Sequence, residues 1–162
     1  MKTLLLSGLL SLFALASSAQ ERILQKENND PYIRKQADSL QALYEKDGFV
    51  LLKANSMNME SEYEMPVIVP LQEGTWYQFV FIGEPTSKLY EVRMYDWSEK
   101  QVVYRKKMWG DVDGNIISYA YIPPITEYHM MKSVQVNKKK KTDLAGYVML
   151  FKKVGGAQTG PK

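Results

Sequence analysis

The amino-acid sequence predicts a mainly β protein: an antiparallel β-sandwich, jelly-roll-like, of about eight strands, with one N-terminal amphipathic helix. Three observations point there. Apolar residues are spaced helically before Phe49 and alternate two by two after it. Turn signals then recur at intervals of about 8–12 residues, the cadence of a sandwich or barrel. Eleven Tyr, five Phe and three Trp supply flat rings that pack well on a pleated surface.

Ahead of the fold stands an export signal. Lys2 is followed by an apolar run from Leu4 to Leu15, too short to span a bilayer, and then by the small residues Ser17-Ser18-Ala19. Cleavage between Ala19 and Gln20 is expected, leaving 143 residues, a length suited to one domain with a real core. The chain has no cysteine, which excludes cysteine lipidation and disulfides. The expected address is the bacterial periplasm or the medium, with no transmembrane segment. Gln20 to Asn29 is polar and aperiodic, a flexible leader.

Asp30-Pro31 reads as a helix start, because Asp30 can accept from first-turn amides and Pro31 sits where a missing N–H costs nothing. Ile33, Ala37, Leu40 and Tyr44 form one stripe, widened by Leu43, and Gly48 follows as a left-handed stop. The helix is expected from Pro31 to Asp47, over an open end or a face of the sandwich. Phe49 to Lys53 reads as a short strand. Glu62 to Leu71 alternates, and its Pro66 and Pro70 consign it to an edge. Thr75 to Ile82 is an aromatic strand buried on both faces, with Trp76 in its core. Lys88 to Asp96 and Gln101 to Lys107 form a hairpin, and Ile116 to Tyr121 follows the Asp111–Asn115 loop. Tyr128, Met130, Val134 and Val136 mark a long strand with an apolar face, and Ala145 to Val154 closes the domain. Residues 155–162 form a polar, Gly-rich tail, expected to be disordered. Met57, Met59, Met65 and Met130-Met131 are expected to fill core gaps.

Residues 72–154 resemble the bacterial pre-peptidase C-terminal (PPC) β-sandwich domains. The resemblance rests on Gly74 with Tyr77 and Phe79, Leu89 through Asp96, Ala120-Tyr121, Tyr128, and Gly146-Tyr147 with Leu150. It implies a small accessory jelly roll outside the cytoplasm that aids binding or folding. The chain departs from that pattern in its N-terminal helix, in lacking a glycine just before Tyr128, and in holding no peptidase sequence.

Composition narrows the chemistry. With no cysteine and only His129, cysteine nucleophiles and multi-histidine zinc sites are excluded. Glu127 and His129 stand two apart on one strand and so share a face; they read as a solvent-facing polar pair opposite Tyr128 and Met130 rather than an acid–base couple. Asp111 to Asn115 lacks the ligand set of a calcium loop and reads as a turn. Glu60, Glu62 and Glu64 read as a solvated strand edge. No metal or cofactor is expected.

The charge is uneven: residues 20–73 carry six basic and ten acidic groups, residues 74–162 fourteen basic and eight acidic. Its sharpest feature is Lys138, Lys139, Lys140 and Lys141, expected on a hairpin tip. There they either solubilise the hairpin or meet an anionic glycan or lipid headgroup. Trp97 and Trp109 fall in or beside turns, as lids on the sandwich or as platforms for a partner. The resulting expectation is a non-catalytic envelope binding module for a protein or glycan, with Trp97, Trp109 and the four lysines as binding residues. An alternative is a structural subunit docking through its helix or through Glu62 to Leu71. A carboxylate-based hydrolase ranks last, and nucleic acid is not expected as a partner.

Overall fold

The computed structural model describes residues 30–154; the expected export signal, leader and tail lie outside the described residues. The helix α1 (Pro31–Lys46) is followed by β1 (Phe49–Met59), β2 (Met65–Leu71), β3 (Tyr77–Gly83), β4 (Leu89–Tyr95), β5 (Gln101–Met108), β6 (Ile116–Tyr121), β7 (Glu127–Val136) and β8 (Leu144–Lys153). One sheet has the order β1-β8-β3-β6 and the other β2-β7-β4-β5. The pairs β1·β8, β2·β7, β3·β6 and β4·β5 are all antiparallel ladders. In each the strand numbers sum to nine, so the chain is one long hairpin rolled up, its rungs falling alternately in the two sheets. That is the jelly roll, and the predicted fold class is the observed one.

Two apolar layers hold it. Between the sheets lie Tyr77, Phe79, Phe81, Val92, Met94, Ile117 and Leu150, among others. Between α1 and the outer face of the first sheet lie Ile33, Ala37, Phe49, Val80, Ile82 and Phe151. Alternation along β3 divides its residues between these layers, which is why every residue of that strand is buried. Asp30 caps α1 by accepting from the Tyr32 and Ile33 amides at 2.9 and 3.2 Å, and Gly48 takes the left-handed φ of 79° that ends it. Burying Ile33 completely is worth about 1.5–3 kcal/mol to this docking. The Tyr44 and Ser118 hydroxyls share a hydrogen bond of 2.6 Å that fixes the helix's other end on the sheet.

Several local expectations change. β1 runs to Met59 rather than Lys53, because Asn55, Ser56 and Asn58 hide an apolar alternation that the β8 ladder nonetheless holds. β2 begins only at Met65. Before it Glu62 adopts φ 75° in a turn, so Glu60, Glu62 and Glu64 do not share a strand face. Trp76 precedes β3 and packs edge-to-face on Phe49, centroids 5.5 Å apart, half-buried beside α1. The PPC-like stretch 72–154 is short of a whole sandwich, since β1 and β2 supply an edge strand to each sheet.

Candidate ligand-binding face

The two sheets differ in what covers them. α1 lies over the outer face of the first sheet, and no described element lies over the outer face of the second. The register places four rows of side chains on that open face. Pro70 stands beside Tyr128; Ile68, Met130, Tyr95 and Gln101 form the next row; Pro66, Lys132, Arg93 and Tyr104 the third; Val134, Glu91 and Lys106 the fourth. Ile68, on edge strand β2, and Tyr128, on the interior strand β7, keep 55% and 54% of their surface exposed.

Trp97, in the turn after β4, extends this surface. It is 71% exposed and its ring lies 6.1 Å from that of Tyr128 at 50°. Asp96 shapes the turn, accepting from the Lys100 amide at 2.9 Å and so holding the tryptophan at the rim. Neither Trp97 nor Trp109 is a lid. Trp109 is also 72% exposed, but it follows β5 at the other end of the hairpin, its amide donating to the Lys88 carbonyl at 2.8 Å. Seven residues of β4 at ~3.4 Å each put the tryptophans more than about 20 Å apart. They cannot share one site.

The third and fourth rows carry a charge ladder. Glu64 accepts from Lys132 Nζ at 2.7 Å and from Arg93 Nη1 at 3.0 Å, and Arg93 also pairs with Glu91. Tyr104 donates its hydroxyl to Glu91 at 3.2 Å, and Lys132 Nζ sits 5.4 Å from the centre of the Tyr95 ring. The hydrogen bond from Lys132, with the Lys132 and Arg93 charges behind it, holds the Glu64 carboxyl below its ordinary pKa. Each acid of the ladder has a base, so the face is aromatic, apolar and close to neutral.

The lysine loop behaves differently from its sequence. It joins β7 to β8 across the two sheets and is no hairpin. Asn137 Oδ1 accepts from the Lys139 and Lys140 amides at 3.0 Å, Lys140 binds the Glu84 carboxylate at 3.0 Å, and Lys141 lies 4.0 Å from Glu62. Of the four loop lysines, Lys138 and Lys139 have no ion pair among the described residues, and the loop lies at the Trp109 end, away from Trp97.

β7 presents the opposite face from the one expected. His129 is 1% exposed and points inward with Met131, Ser133 and Gln135, while Tyr128 and Met130 face out. Gln135 serves the Glu84 amide and the Ser87 hydroxyl, and His129 Nε2 meets the Tyr121 hydroxyl at 3.1 Å, while the buried His129 Nδ1 has no hydrogen-bond partner. His129 Nε2 is 3.8 Å from Glu127, but no substrate can reach a ring so enclosed. Tyr128, Tyr95 and Ile68 are thus the site residues that sequence reasoning missed. In the Asp111–Asn115 loop, Asp111 accepts from the Met108 amide at 2.7 Å and Asn115 pairs with Gln36 of α1, so these groups hold the loop and tie it to the helix. Among the described residues no cluster of His, Asp or Glu could hold a metal ion, and no helix is long and apolar enough to cross a membrane.

No family model matches the chain, and no curated protein does. Solved structures with some likeness include the CBM22-1–GH10 modules of Clostridium thermocellum xylanase 10B complexed with xylohexaose, at 12% identity and TM-score 0.37 over 72% of this chain and 28% of that one. Dimeric latent PorU from Porphyromonas gingivalis gives 9% identity and TM-score 0.30 over 60% of this chain and 10% of that one. The Gap123 glycosylation-associated complex of Streptococcus agalactiae gives 12% and 0.33 over 69% of this chain and 43% of that one. The chain spans less than half the length of each, and the fold rests on the strand order itself.

Proposed function

We propose that this protein is an exported, non-catalytic binding module that takes a glycan or protein partner of the bacterial envelope on the open face of its second sheet. One observation carries the reading: of the sandwich's two outer faces, one is covered by α1 and the other carries Trp97, Tyr128 and Ile68 exposed, with Tyr95 half-buried among them, beside a neutralised charge ladder. Rings held on a rigid sheet stack on sugar faces or anchor a partner at little entropic cost. Among the described residues the one histidine is enclosed, which favours binding over catalysis, and an accessory role is what the resemblance of residues 72–154 to PPC domains implies. Compared with the sequence-based expectation, the binding set loses Trp109 and the lysine loop and gains Tyr128.

The test is photo-crosslinking from position 68 in the native envelope, with captured proteins and glycans identified by mass spectrometry. Capture that disappears in the Trp97→Ala, Tyr128→Ala double variant supports the reading. Capture unchanged by the double variant overturns the face.

A further inference from the structure

At the end of the sandwich away from Trp97, four elements meet around an open cleft of about 250 Å³. Tyr32 reaches it from the first turn of α1, Pro85 from the turn between β3 and β4, Tyr90 from β4, and Trp109, Asp111 and Asn115 from the loop between β5 and β6. Small-molecule sites commonly span about 300–1,000 Å³, so this one has room for a single ring-sized group and not for a helix or a strand. Its walls are tied to one another. Asn115 exchanges amide hydrogen bonds with Gln36 of α1 at 2.7 and 3.1 Å and donates to the Gly83 carbonyl of β3 at 3.2 Å. The Trp109 amide donates to the Lys88 carbonyl at 2.8 Å and the Asp111 amide to the Met108 carbonyl at 3.1 Å, which fixes the turn that carries the tryptophan. The Tyr90 hydroxyl is spent on the Glu84 and Ser87 carbonyls, so its buried ring backs the cleft as apolar surface.

Within this tied frame two large rings stay in water, Trp109 at 72% and Tyr32 at 55% exposure. Beside them stands one carboxylate. Asp111 Oδ2 accepts from the Met108 amide at 2.7 Å, and a carboxylate keeps lone pairs for further donors. Exposed aromatic faces with a single acceptor at their rim match a pyranose, which has an apolar C–H face and a border of hydroxyls. An organic cation would use the same rings and the same acid, but the charge around the cleft opposes it. Lys107 Nζ is held against the Val112 and Asp113 carbonyls of the same loop at 3.2 and 3.4 Å. The lysine loop lies close by, since Asn137, whose side chain shapes it, donates to the Thr86 hydroxyl beside Pro85 at 2.9 Å.

We propose that this cleft is a separate saccharide site that takes one pyranose residue, with Trp109 and Tyr32 as stacking surfaces and Asp111 as the acceptor for a sugar hydroxyl. Trp109 thus has a role of its own, at the far end of β4 from Trp97. The site shares no residue with the open face of the second sheet and survives or fails without it.

The experiment titrates the purified protein with the methyl glycosides of glucose, galactose, mannose, N-acetylglucosamine and glucuronic acid, and in parallel with choline. Binding is read from ¹⁵N spectra through the Trp109 indole N–H and the amides of Gly110, Asp111 and Gly114. The expected result is saturation by at least one glycoside with a dissociation constant of about 1–5 mM, the range open to a ligand of one ring. Trp109→Ala and Tyr32→Ala should each weaken that binding at least tenfold, and Asp111→Asn at least threefold, which separates the acid's role from stacking. Both rings are exposed, so the melting temperatures of the two alanine variants should match the parent's. No glycoside saturating below about 20 mM, binding unchanged by Trp109→Ala, or shifts centred on Trp97 and Tyr128 would each overturn the site. Choline binding more tightly than every glycoside would also overturn it, since the rings and the acid would then serve a cation.

Discussion

Replacing Gln135 by Met changes almost nothing in size and tests the orientation on which the open face depends. Gln135 is completely buried on β7, where its Oε1 accepts from the Glu84 amide at 3.0 Å and the Ser87 hydroxyl at 3.1 Å. Its Nε2 donates to the Ala145 carbonyl at 3.1 Å. A thioether offers none of this, so the substitution strands one buried N–H and one buried hydroxyl and withdraws a donor from a carbonyl. Two groups at about 1–3 kcal/mol each put the loss at about 2–6 kcal/mol. For a domain of this length that lowers the melting temperature by roughly 10 °C or more. The neighbouring Val134 faces outward, half-exposed beside Glu91, and Val134→Ser should cost about 1 kcal/mol or less. The assay is urea unfolding of both variants followed by far-ultraviolet circular dichroism. A one-residue slip of β7 exchanges its faces. If Val134→Ser proves the more damaging of the two, the strand faces the other way, Tyr128 and Met130 belong to the core, and the binding face does not exist.

Trp97→Ala and Tyr128→Ala should each weaken partner binding at least tenfold, equivalent to about 1.4 kcal/mol, with unfolding midpoints close to the parent's; a loss of stability instead of binding would make them structural. Gly83→Ala should destabilise by about 2–4 kcal/mol, because its Cβ would stand 2.6 Å from the Tyr90 ring, which cannot retreat while its hydroxyl donates to the Glu84 and Ser87 carbonyls; an unchanged thermal midpoint would show that the ring yields. Glu64 has a depressed carboxyl pKa in the folded state, so its stabilisation is complete above the ordinary value of 4.5 and fades as the pH falls through the lower folded value. Because Glu64 and its partners are about one-third exposed, solvent screening limits the effect to a few tenths of a kcal/mol. Stability of Glu64→Gln measured between pH 7 and 3 should therefore lose that small acid-dependent component, and a slope identical to the parent's would contradict the pairing.

Much of the fold is legible in the chain because the relevant signals are local. The Asp30 cap, the Ile33-to-Tyr44 stripe and Gly48 define the helix from neighbouring residues alone. The prolines of β2 fix an edge, since no partner strand can supply the missing donor. β1 is half-hidden for a related reason: Asn55 and Asn58 sit at an edge where burial is partial, so the alternation blurs although the ladder continues. β7 misleads because both of its faces carry apolar residues. Its inward polar groups become readable only once Glu84, Ser87 and Tyr121 are known to lie opposite them.

The sequence by itself determined a sandwich of this strand count, its helix, its guarded edge at β2, and the lack of a cysteine or multi-histidine centre. Those follow from period, punctuation and composition, which are properties of short stretches. Only the tertiary structure decided which outer face α1 covers, that Trp97 meets Tyr128 rather than Trp109, that Lys140 is held by Glu84, and that β1 keeps an open edge. Each of these depends on residues tens of positions apart meeting across a rolled hairpin. Pairing of that range is set by the register of whole strands and by what remains uncovered when they have packed.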